Sequence, residues 1–301
     1  RLGLEQSFVD GAISSIEAGV NYADREKSRR VPEAFLDLIG GPEVSIPASF
    51  LRNPANLSFT GIPGTIAYDI NGVLAQFYTL RDNINADIVN KQWTVNESTI
   101  TTYAQANLDT EWFSVPVRGN IGVQAVTVDQ SSDGFSVIQG DAANAVPFSG
   151  QSNYTDILPS MNLAFSLPSD NVVRVAVARQ MARPRIDQMR ANNNTNLEFT
   201  GPNAGRWTRS GGNPDLQPWL ANAADVSWER YFGGTRGYVS AAYFYKDLRS
   251  YVYEQLTTFN ASNLVPPTGY TGPTPFATGN YYRPANGEGG KLYGFELAVS
   301  I

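Results

Sequence analysis

Two neighbouring stretches of the sequence, MARPRIDQMR and GRWTRSGGNPDLQPW, concentrate arginine and tryptophan side chains. A guanidinium group donates hydrogen bonds to carboxylates or hydroxyls, and an indole face stacks on a sugar ring or an aromatic ligand. This chemistry indicates a ligand-binding surface, whose candidate residues are Arg183, Arg185, Arg206, Trp207, Arg209, Trp219 and, from a later stretch, Tyr282.

A simpler role for the same side chains is loop scaffolding, and the pattern favours it. In that case the arginines pair with nearby Asp187 and Asp215 and with backbone carbonyls. Tyr282 belongs to a second aromatic group, together with residues such as Tyr251 and Tyr253. For that group the corresponding alternatives are an aromatic girdle at a membrane surface and loop packing.

The composition argues against catalysis. The chain has no cysteine and no histidine, so it lacks thiol chemistry, the commonest general base and the commonest metal ligand. Asp225 and Glu229 fall on one face of a predicted strand about 13 Å apart, which exceeds the separation of a glycosidase carboxylate pair. The run NNNTN is better explained as a loop than as a metal cage. We therefore predict no enzyme, no bound metal and no cofactor.

Charge and hydrophobic content narrow the remaining classes. A formal charge of −6, with 22 scattered basic residues, argues against a nucleic-acid partner, because phosphate binding requires clustered lysine and arginine. No run approaches the roughly 18 consecutive apolar residues of a membrane helix. Abundant Asn, Thr, Ser, Gly and Tyr favour strands and turns. The composition therefore predicts an all-β protein, either water-soluble or a membrane barrel.

Period-two alternation is the dominant pattern along the chain. In YTDILPSMNLAFSL, Leu163 and Phe165 fall on one strand face, and Asn162 falls on the other. The same alternation of apolar and polar residues occurs in NVVRVAVARQM, RGNIGVQA and STITTYAQANLD. We count about nine such strands. On the polar faces lie Asp109, Arg118, Arg174, Asp225 and Glu229, for which we predict inward ion pairs that would hold the wall to a plug inside the barrel.

Short and long connections alternate between these segments. We predict short turns at residues 10–11, 115–116, 168–171 and 233–236, and long irregular stretches at 27–91, 131–152, 184–217 and 255–290. A transmembrane β-barrel has this pattern, since its periplasmic turns are short and its extracellular loops are long. The aromatic residues just before short turns fit a periplasmic girdle: Trp112, Phe113, Trp228, Tyr231 and Phe232.

Five motifs in order resemble the barrel of TonB-dependent outer-membrane receptors. They are an LPS-x-N-L segment, a strand ending in A-R-P, a G-N-P-x-L-x-P turn, a strand ending in E-x-Y-F and an F-x-K core. In this sequence they lie at Leu158–Leu163, Ala182–Pro184, Gly212–Pro218, Glu229–Phe232 and Phe244–Lys246. With two further similar segments, the resemblance covers most of residues 93–253.

The resemblance implies an antiparallel transmembrane β-barrel of 22 strands with a plugged lumen, of which residues 1–301 would be a partial barrel. It implies the outer membrane of a Gram-negative bacterium, contact with outer-membrane lipid, and uptake powered by the TonB complex. The plug domain and the TonB-contacting segment are expected to lie outside this chain. The motifs are most similar to receptors for oligosaccharide uptake, and a ferric-siderophore receptor is the alternative.

Two further classes remain open. A secreted carbohydrate-binding β domain would use the alternation to separate a core from water. A passive porin would be a barrel without a plug. Folding in water without detergent would favour the first class, since a barrel segment exposes its lipid face and open strand edges.

The stretch SGGNPDLQPW is predicted to mark the descent from an extracellular loop into the wall. Gly211 and Gly212 are expected to permit positive φ. Pro214 holds Asn213 extended, and Pro218 takes the first position of a strand, where a missing N–H costs least. We therefore interpret this stretch as a structural segment that fixes where the following strand begins.

Overall fold

The computed structural model describes residues 1–233 and 237–300. Strands dominate them: β1 (Leu2–Ser7), β2 (Ile13–Arg29), β3 (Ala34–Leu38), β4 (Leu51–Leu57), β5 (Ile62–Tyr68), β6 (Tyr78–Asp82), β7 (Trp93–Trp112), β8 (Val115–Ile138), β9 (Val146–Leu167), β10 (Asn171–Ala182), β11 (Asn193–Leu197), β12 (Trp207–Gly211), β13 (Trp219–Phe232), β14 (Gly237–Asn260), β15 (Thr278–Gly287) and β16 (Lys291–Ser300). The helices are α1 (Ile70–Phe77) and α2 (Ala86–Val89). Neither has the length and apolarity needed to span a bilayer.

The wall is one antiparallel sheet in the order β1-β2-β7-β8-β9-β10-β13-β14. Two strands, β15 and β16, occupy the next position beside β14. The strand β16 pairs with residues Tyr238–Asp247 of β14, and β15 pairs with residues Tyr251–Asn260 farther along β14. Counted as one interrupted strand, β15 and β16 bring the wall to nine strands. The predicted all-β class and the strand count are therefore confirmed.

The alternating sequence sorts onto two faces of this wall. The apolar face is exposed, with Ile121 48% and Phe295 81% accessible, as expected of side chains that face lipid. On the polar face, Arg118 pairs with Asp109 of β7 at 3.2 Å. Arg174 and Glu229 pair in the same way at 3.1 Å between β10 and β13. Four of the five predicted residues thus pair within the wall, between neighbouring strands, and Asp225 makes no salt bridge with a described residue. The predicted pairing of wall to plug stays a prediction.

Two short turns differ from the glycine turns usual in hairpins. The turn between β7 and β8 is formed by Phe113 and Ser114, at φ values of 52° and 63°. Ser169 and Asp170 form the turn between β9 and β10 at 62° and 57°. Positive φ at both central residues matches the twist of a two-residue hairpin. The first turn was predicted two residues too late, because neither residue carries the glycine signal. Of the predicted turn at 233–236, only Gly233 is described.

The long connections contain far more regular structure than predicted. Strands β8 and β9 stay paired up to Ser136 and Val146, so their loop is only 139–145. The last long connection shrinks similarly to 261–277. The first, 30–92, contains both helices and two small sheets, β3 with β6 and β4 with β5. Above the membrane both faces of a strand are polar, so the alternation that marks strands in the sequence fades there.

Residues 183–218, here called the inner excursion, fold against the polar face of the wall. Gln130 of β8 donates from Nε2 to the carbonyl oxygens of Pro214 (2.8 Å) and Leu216 (2.9 Å). The hairpin of β11 and β12 pairs in parallel with β8 on one side and β15 on the other. These pairings close a ring in the order β8-β9-β10-β13-β14-β15-β12-β11.

We expect Gln130→Ala to loosen the inner excursion. Gln130 is 2% exposed, and its loss leaves two buried carbonyl oxygens without donors, each costing about 1–3 kcal/mol. Hydrogen exchange on the full-length protein should show the free energy of local opening at residues 188–217 falling by about 2–4 kcal/mol. Gln124→Ala is the control, because Gln124 lies on the same face of β8 and is exposed. Equal protection in both variants would contradict the expectation.

Candidate ligand-binding surface

The glycines of SGGNPDLQPW serve close packing, which corrects the prediction that they provide positive φ. Neither Gly211 nor Gly212 has positive φ. A Cβ on Gly211 would overlap the carbonyl oxygen of Asn192, and one on Gly212 that of Arg190. The structural role predicted for this stretch remains, but its physical basis is the near approach of two backbones.

Asn213 fixes the same stretch to β15. Its Nδ2 donates to the carbonyl oxygen of Pro284 at 3.0 Å, and its Oδ1 accepts from Nη1 of Arg283 at 3.3 Å. Farther along, Gln217 and Asn286 exchange two hydrogen bonds of 2.8 Å. The stretch therefore connects β8 and β15 across the polar face.

Trp207 is a core residue, which corrects its prediction as a ligand contact. Its side chain is 0% exposed and packs in a cluster with Leu197 and Ala261. Phe259 and Tyr270 pack against the edge of that cluster. A residue without accessible surface stabilises the hairpin and offers a ligand no surface to contact.

Arg183 belongs to a buried ion cluster at the base of the inner excursion. Its Nη1 contacts Oε1 of Glu97 and donates to Oγ1 of Thr99 at 3.1 Å. Arg25 pairs with the other carboxylate oxygen of Glu97 at 2.9 Å. Glu97 is 1% exposed, so this cluster joins β2, β7 and the excursion.

Arg185 and Trp219 also follow the scaffolding alternative. Arg185 pairs with Asp187 at 3.0 Å within one turn of chain. Trp219 stacks on Tyr251 with ring centroids 4.3 Å apart, and it packs against the buried cluster around Leu216. Both side chains therefore have local protein partners.

Arg206 and Arg209 stack on aromatic rings of the last long connection and of the strands β14 and β15 on either side of it. The guanidinium of Arg206 lies 4.8 Å from the ring centroid of Phe276. That of Arg209 lies 3.9 Å from Phe259 and 5.5 Å from Tyr281. Arg209 also donates from Nε to Thr195 at 2.9 Å.

Arg283 completes the group that we call the arginine–tyrosine cluster: Arg209, Tyr281 and Arg283. The guanidinium of Arg283 lies 4.9 Å from the ring centroid of Tyr281. The tyrosine hydroxyl donates to the carbonyl oxygen of Gly212 at 3.0 Å. Sequence reasoning missed Arg283, because its partners come from separate parts of the chain. The only available signal was its position two residues after Tyr281.

The arginine–tyrosine cluster contains two positive charges and no carboxylate. Neither Arg209 nor Arg283 lies within 4.0 Å of a carboxylate belonging to residues 1–233 or 237–300. Burial lowers the pKa of the Arg209 guanidinium, and the Arg283 cation lowers it further. Burial likewise raises the pKa of Tyr281. Two cations thus share a half-buried site, and the carboxylate of Asp215, which raises the pKa of Tyr281, lies beyond 4.0 Å of both guanidinium groups.

Tyr282 is the most accessible of the predicted aromatic contacts, with half of its side chain exposed. It lines a cavity of about 430 Å³ beside the inner excursion. A larger cavity, of about 840 Å³, lies on the polar face of the wall and is lined by Arg118, Arg174, Asp225, Lys246 and Glu296, among others. The structure therefore separates Tyr282 from the cavity inside the wall.

Glu97→Gln should destabilise the protein far more than a comparable change in an exposed ion pair. Removing the buried carboxylate leaves two half-buried arginines without their anion, so the free energy of unfolding should fall by about 2–4 kcal/mol. Asp109→Asn removes one partner of an exposed pair and should cost under about 1 kcal/mol. Denaturant unfolding of the full-length protein measures both losses. Equal losses would show that the buried Glu97 cluster stabilises the fold no more than an exposed ion pair does.

Comparison with solved structures gives distant similarity. The siderophore receptor PirA from Acinetobacter baumannii is 10% identical, with a TM-score of 0.41, over 99% of this chain and 41% of that chain. The ferric enterobactin receptor PfeA from Pseudomonas aeruginosa is 12% identical, with a TM-score of 0.42, over 98% and 40%. The hemophore receptor HasR from Serratia marcescens is 9% identical, with a TM-score of 0.40, over 95% and 39%.

The chain thus spans about 40% of the length of these receptors. None of the three is named as an oligosaccharide receptor. No curated protein matches the chain. The family model described as "TonB dependent receptor-like, beta-barrel" matches residues 1–301. The chain therefore belongs to the β-barrel family of TonB-dependent receptors, which are receptors and transporters of the Gram-negative outer membrane.

Proposed function

We propose that this barrel belongs to a receptor that takes up an anionic ligand across the outer membrane, with a ferric siderophore as the first candidate. The outer face contacts membrane lipid. Energy comes from the TonB complex, which acts through a region outside residues 1–301. This proposal places the siderophore alternative ahead of the oligosaccharide.

The observation that carries the proposal is the uncompensated charge of the arginine–tyrosine cluster. Two guanidinium groups close to one ring repel each other, and burial removes part of the water that would otherwise screen them. An anion between them would relieve both costs. Each charge-assisted hydrogen bond that it accepted would contribute about 1.5–3 kcal/mol.

The position of the cluster suits capture from outside the cell. Nineteen residues separate Tyr281 from Ser300 along β15 and β16. At about 3.3 Å per residue and a tilt of about 40°, this places Tyr281 roughly 45–50 Å from the periplasmic end. The apolar band is only about 25 Å tall. A basic site at that height, in a chain of net charge −6, supplies a local attraction for anions.

The polar face below the cluster supports passage of a hydrated ligand. Asp225, Lys246 and Glu296 line the 840 Å³ cavity and make no salt bridge with any described residue. Charges of both signs without protein partners require water or another partner. A wet, charged inner face is the surface that a transporter lumen needs.

An acidic oligosaccharide is the second candidate ligand. Its carboxylates would pair with the same guanidinium groups, and its rings would stack on the exposed aromatic side chains. A neutral oligosaccharide has no anion to offer the cluster. The charge of the ligand therefore separates the candidates at this site.

Binding to the full-length receptor in detergent tests the ligand class. Ferric enterobactin and trigalacturonate serve as probes, with maltotriose as the neutral comparison. We expect Arg209→Ala and Arg283→Ala each to weaken binding of one anionic probe by about 10- to 100-fold, the loss of one charge-assisted hydrogen bond. Added salt should weaken wild-type binding.

Arg185→Ala is the matched control, because Arg185 is exposed and already paired with Asp187. Binding of trigalacturonate alone would replace the siderophore by an acidic oligosaccharide. Binding that survives both Arg209→Ala and Arg283→Ala, or failure of both anions to bind, would overturn the anion site.

Uptake in cells tests energy coupling separately. Deleting the receptor gene should abolish accumulation of the bound probe, and deleting TonB should abolish it equally. Restoring the full-length gene should restore uptake only in cells that contain TonB. Accumulation that persists without TonB would identify a passive porin and refute the proposed transport mechanism.

A further inference from the structure

Rows of outward-facing side chains cover four neighbouring strands of the wall, β10, β13, β14 and β16. Residues opposite one another on paired strands face the same side of a sheet. On the outer face the register gives three apolar rows: Val177 with Ala224, Tyr245 and Tyr293; Val175 with Val226, Tyr243 and Phe295; and Val173 with Trp228, Ala241 and Leu297. This part of the wall therefore presents a continuous apolar band to the membrane.

A row with charged side chains borders the band at each end. The upper row is Arg179, Asn222, Asp247 and Lys291, and the lower row is Asn171, Arg230, Val239 and Val299. Asn222 and Arg230 lie eight residues apart on β13, which gives a height of about 20 Å at about 3.3 Å per residue and a tilt of about 40°. An apolar band is about 25 Å tall. The two rows therefore lie at the two membrane surfaces.

The lower row belongs to the periplasmic surface, because Asn171 directly follows the short turn of Ser169 and Asp170. Arg230 is exposed there, and its guanidinium lies 5.7 Å from the ring centroid of Phe232. On the same strand face, the exposed Trp228 donates from Nε1 to Oδ1 of Asn171 at 3.1 Å. Exposed aromatic side chains of this kind mark the head-group layer of a membrane. Arg230 is thus placed between two of them, in contact with that layer.

The protein supplies no anion to Arg230. No carboxylate of residues 1–233 or 237–300 lies within 4.0 Å of its guanidinium. The neighbouring carboxylate, Glu229, points to the opposite face, where it accepts from Arg174 at 3.1 Å and from Tyr231 at 2.7 Å. The arginine on the polar face is therefore neutralised, and the arginine on the lipid face is left to a partner outside the chain.

The anion available at this depth is the phosphodiester of a phospholipid. A guanidinium group offers a planar fork of donors that matches two phosphate oxygens. The rings of Trp228 and Phe232 exclude part of the water that would otherwise hydrate the guanidinium, which strengthens its attraction for an anion. The acyl chains of the same lipid would lie along the apolar rows above Arg230.

We propose that Arg230 binds the phosphodiester group of one phospholipid in the periplasmic leaflet, between Trp228 and Phe232. The proposal rests on the proposed contact of the outer face with lipid and adds the head-group chemistry of that contact. It is independent of the anion taken up at the arginine–tyrosine cluster, which lies at the other end of the wall.

Native mass spectrometry of the full-length receptor released from nanodiscs counts the lipids that it retains. Phosphatidylglycerol, phosphatidylcholine and monogalactosyldiacylglycerol are the three membranes, because the second has a phosphodiester without net charge and the third has no phosphate. We expect Arg230→Gln to lower the occupancy of one retained lipid by roughly 10-fold in both phospholipids, the loss of a charge-assisted pair. Arg230→Lys should lie between the two, since an ammonium keeps the charge and lacks the fork.

Arg174→Gln is the matched control, because Arg174 lies on the polar face of the adjacent strand and should leave lipid retention unchanged. Inorganic phosphate should not displace the lipid, and displacement by it would identify a site for the free ion. Equal retention by wild type and Arg230→Gln, an equal loss in the galactolipid, or a loss confined to phosphatidylglycerol would overturn the phosphodiester site. Failure of the wild-type receptor to insert into any of the nanodiscs would instead contradict the lipid contact itself.

Discussion

The inner excursion keeps its place because the wall supplies hydrogen-bond partners for its buried backbone groups. A long polar segment cannot enter a barrel mouth unless its carbonyl and amide groups find partners there. Gln130 supplies two donors to the carbonyls of Pro214 and Leu216, and Ser132 accepts from the amide of Ala191 at 2.7 Å. With these contacts the excursion is a fixed part of the wall, and the arginine–tyrosine cluster is built on it.

The hairpin of β11 and β12, which these contacts hold in place, has two chemically different faces. Because it bridges β8 and β15 as a flat ribbon, neighbouring residues must face opposite ways. Arg209 thereby meets Tyr281 and Arg283 on one side, and Ser210 meets Tyr282 on the other. A shift of the pairing by one residue would exchange the two faces, so the pairing that closes the ring also fixes which side chains meet at the arginine–tyrosine cluster.

The sequence predicts the wall well because each wall strand has an apolar face and a polar face, which imposes a period of two. The inner excursion follows no such rule. Trp207 has the composition of a ligand contact, but its burial depends on Leu197 and Ala261, one of them 54 residues away. Arg283 was missed for the same reason. Its environment is created by strands that only the tertiary structure brings together.

The composition of the arginine–tyrosine cluster fits the proposed binding role better than a stabilising role. A half-buried pair of arginines lowers the stability of the excursion, while neutral or apolar residues of similar size would remove that cost. The buried Glu97, between Arg25 and Arg183, neutralises two arginines at a place where they only hold strands together. At Arg209 and Arg283 no carboxylate of the described residues lies within 4.0 Å of either guanidinium. This contrast between the two arginine groups is what supports the proposal of an anion site at the cluster.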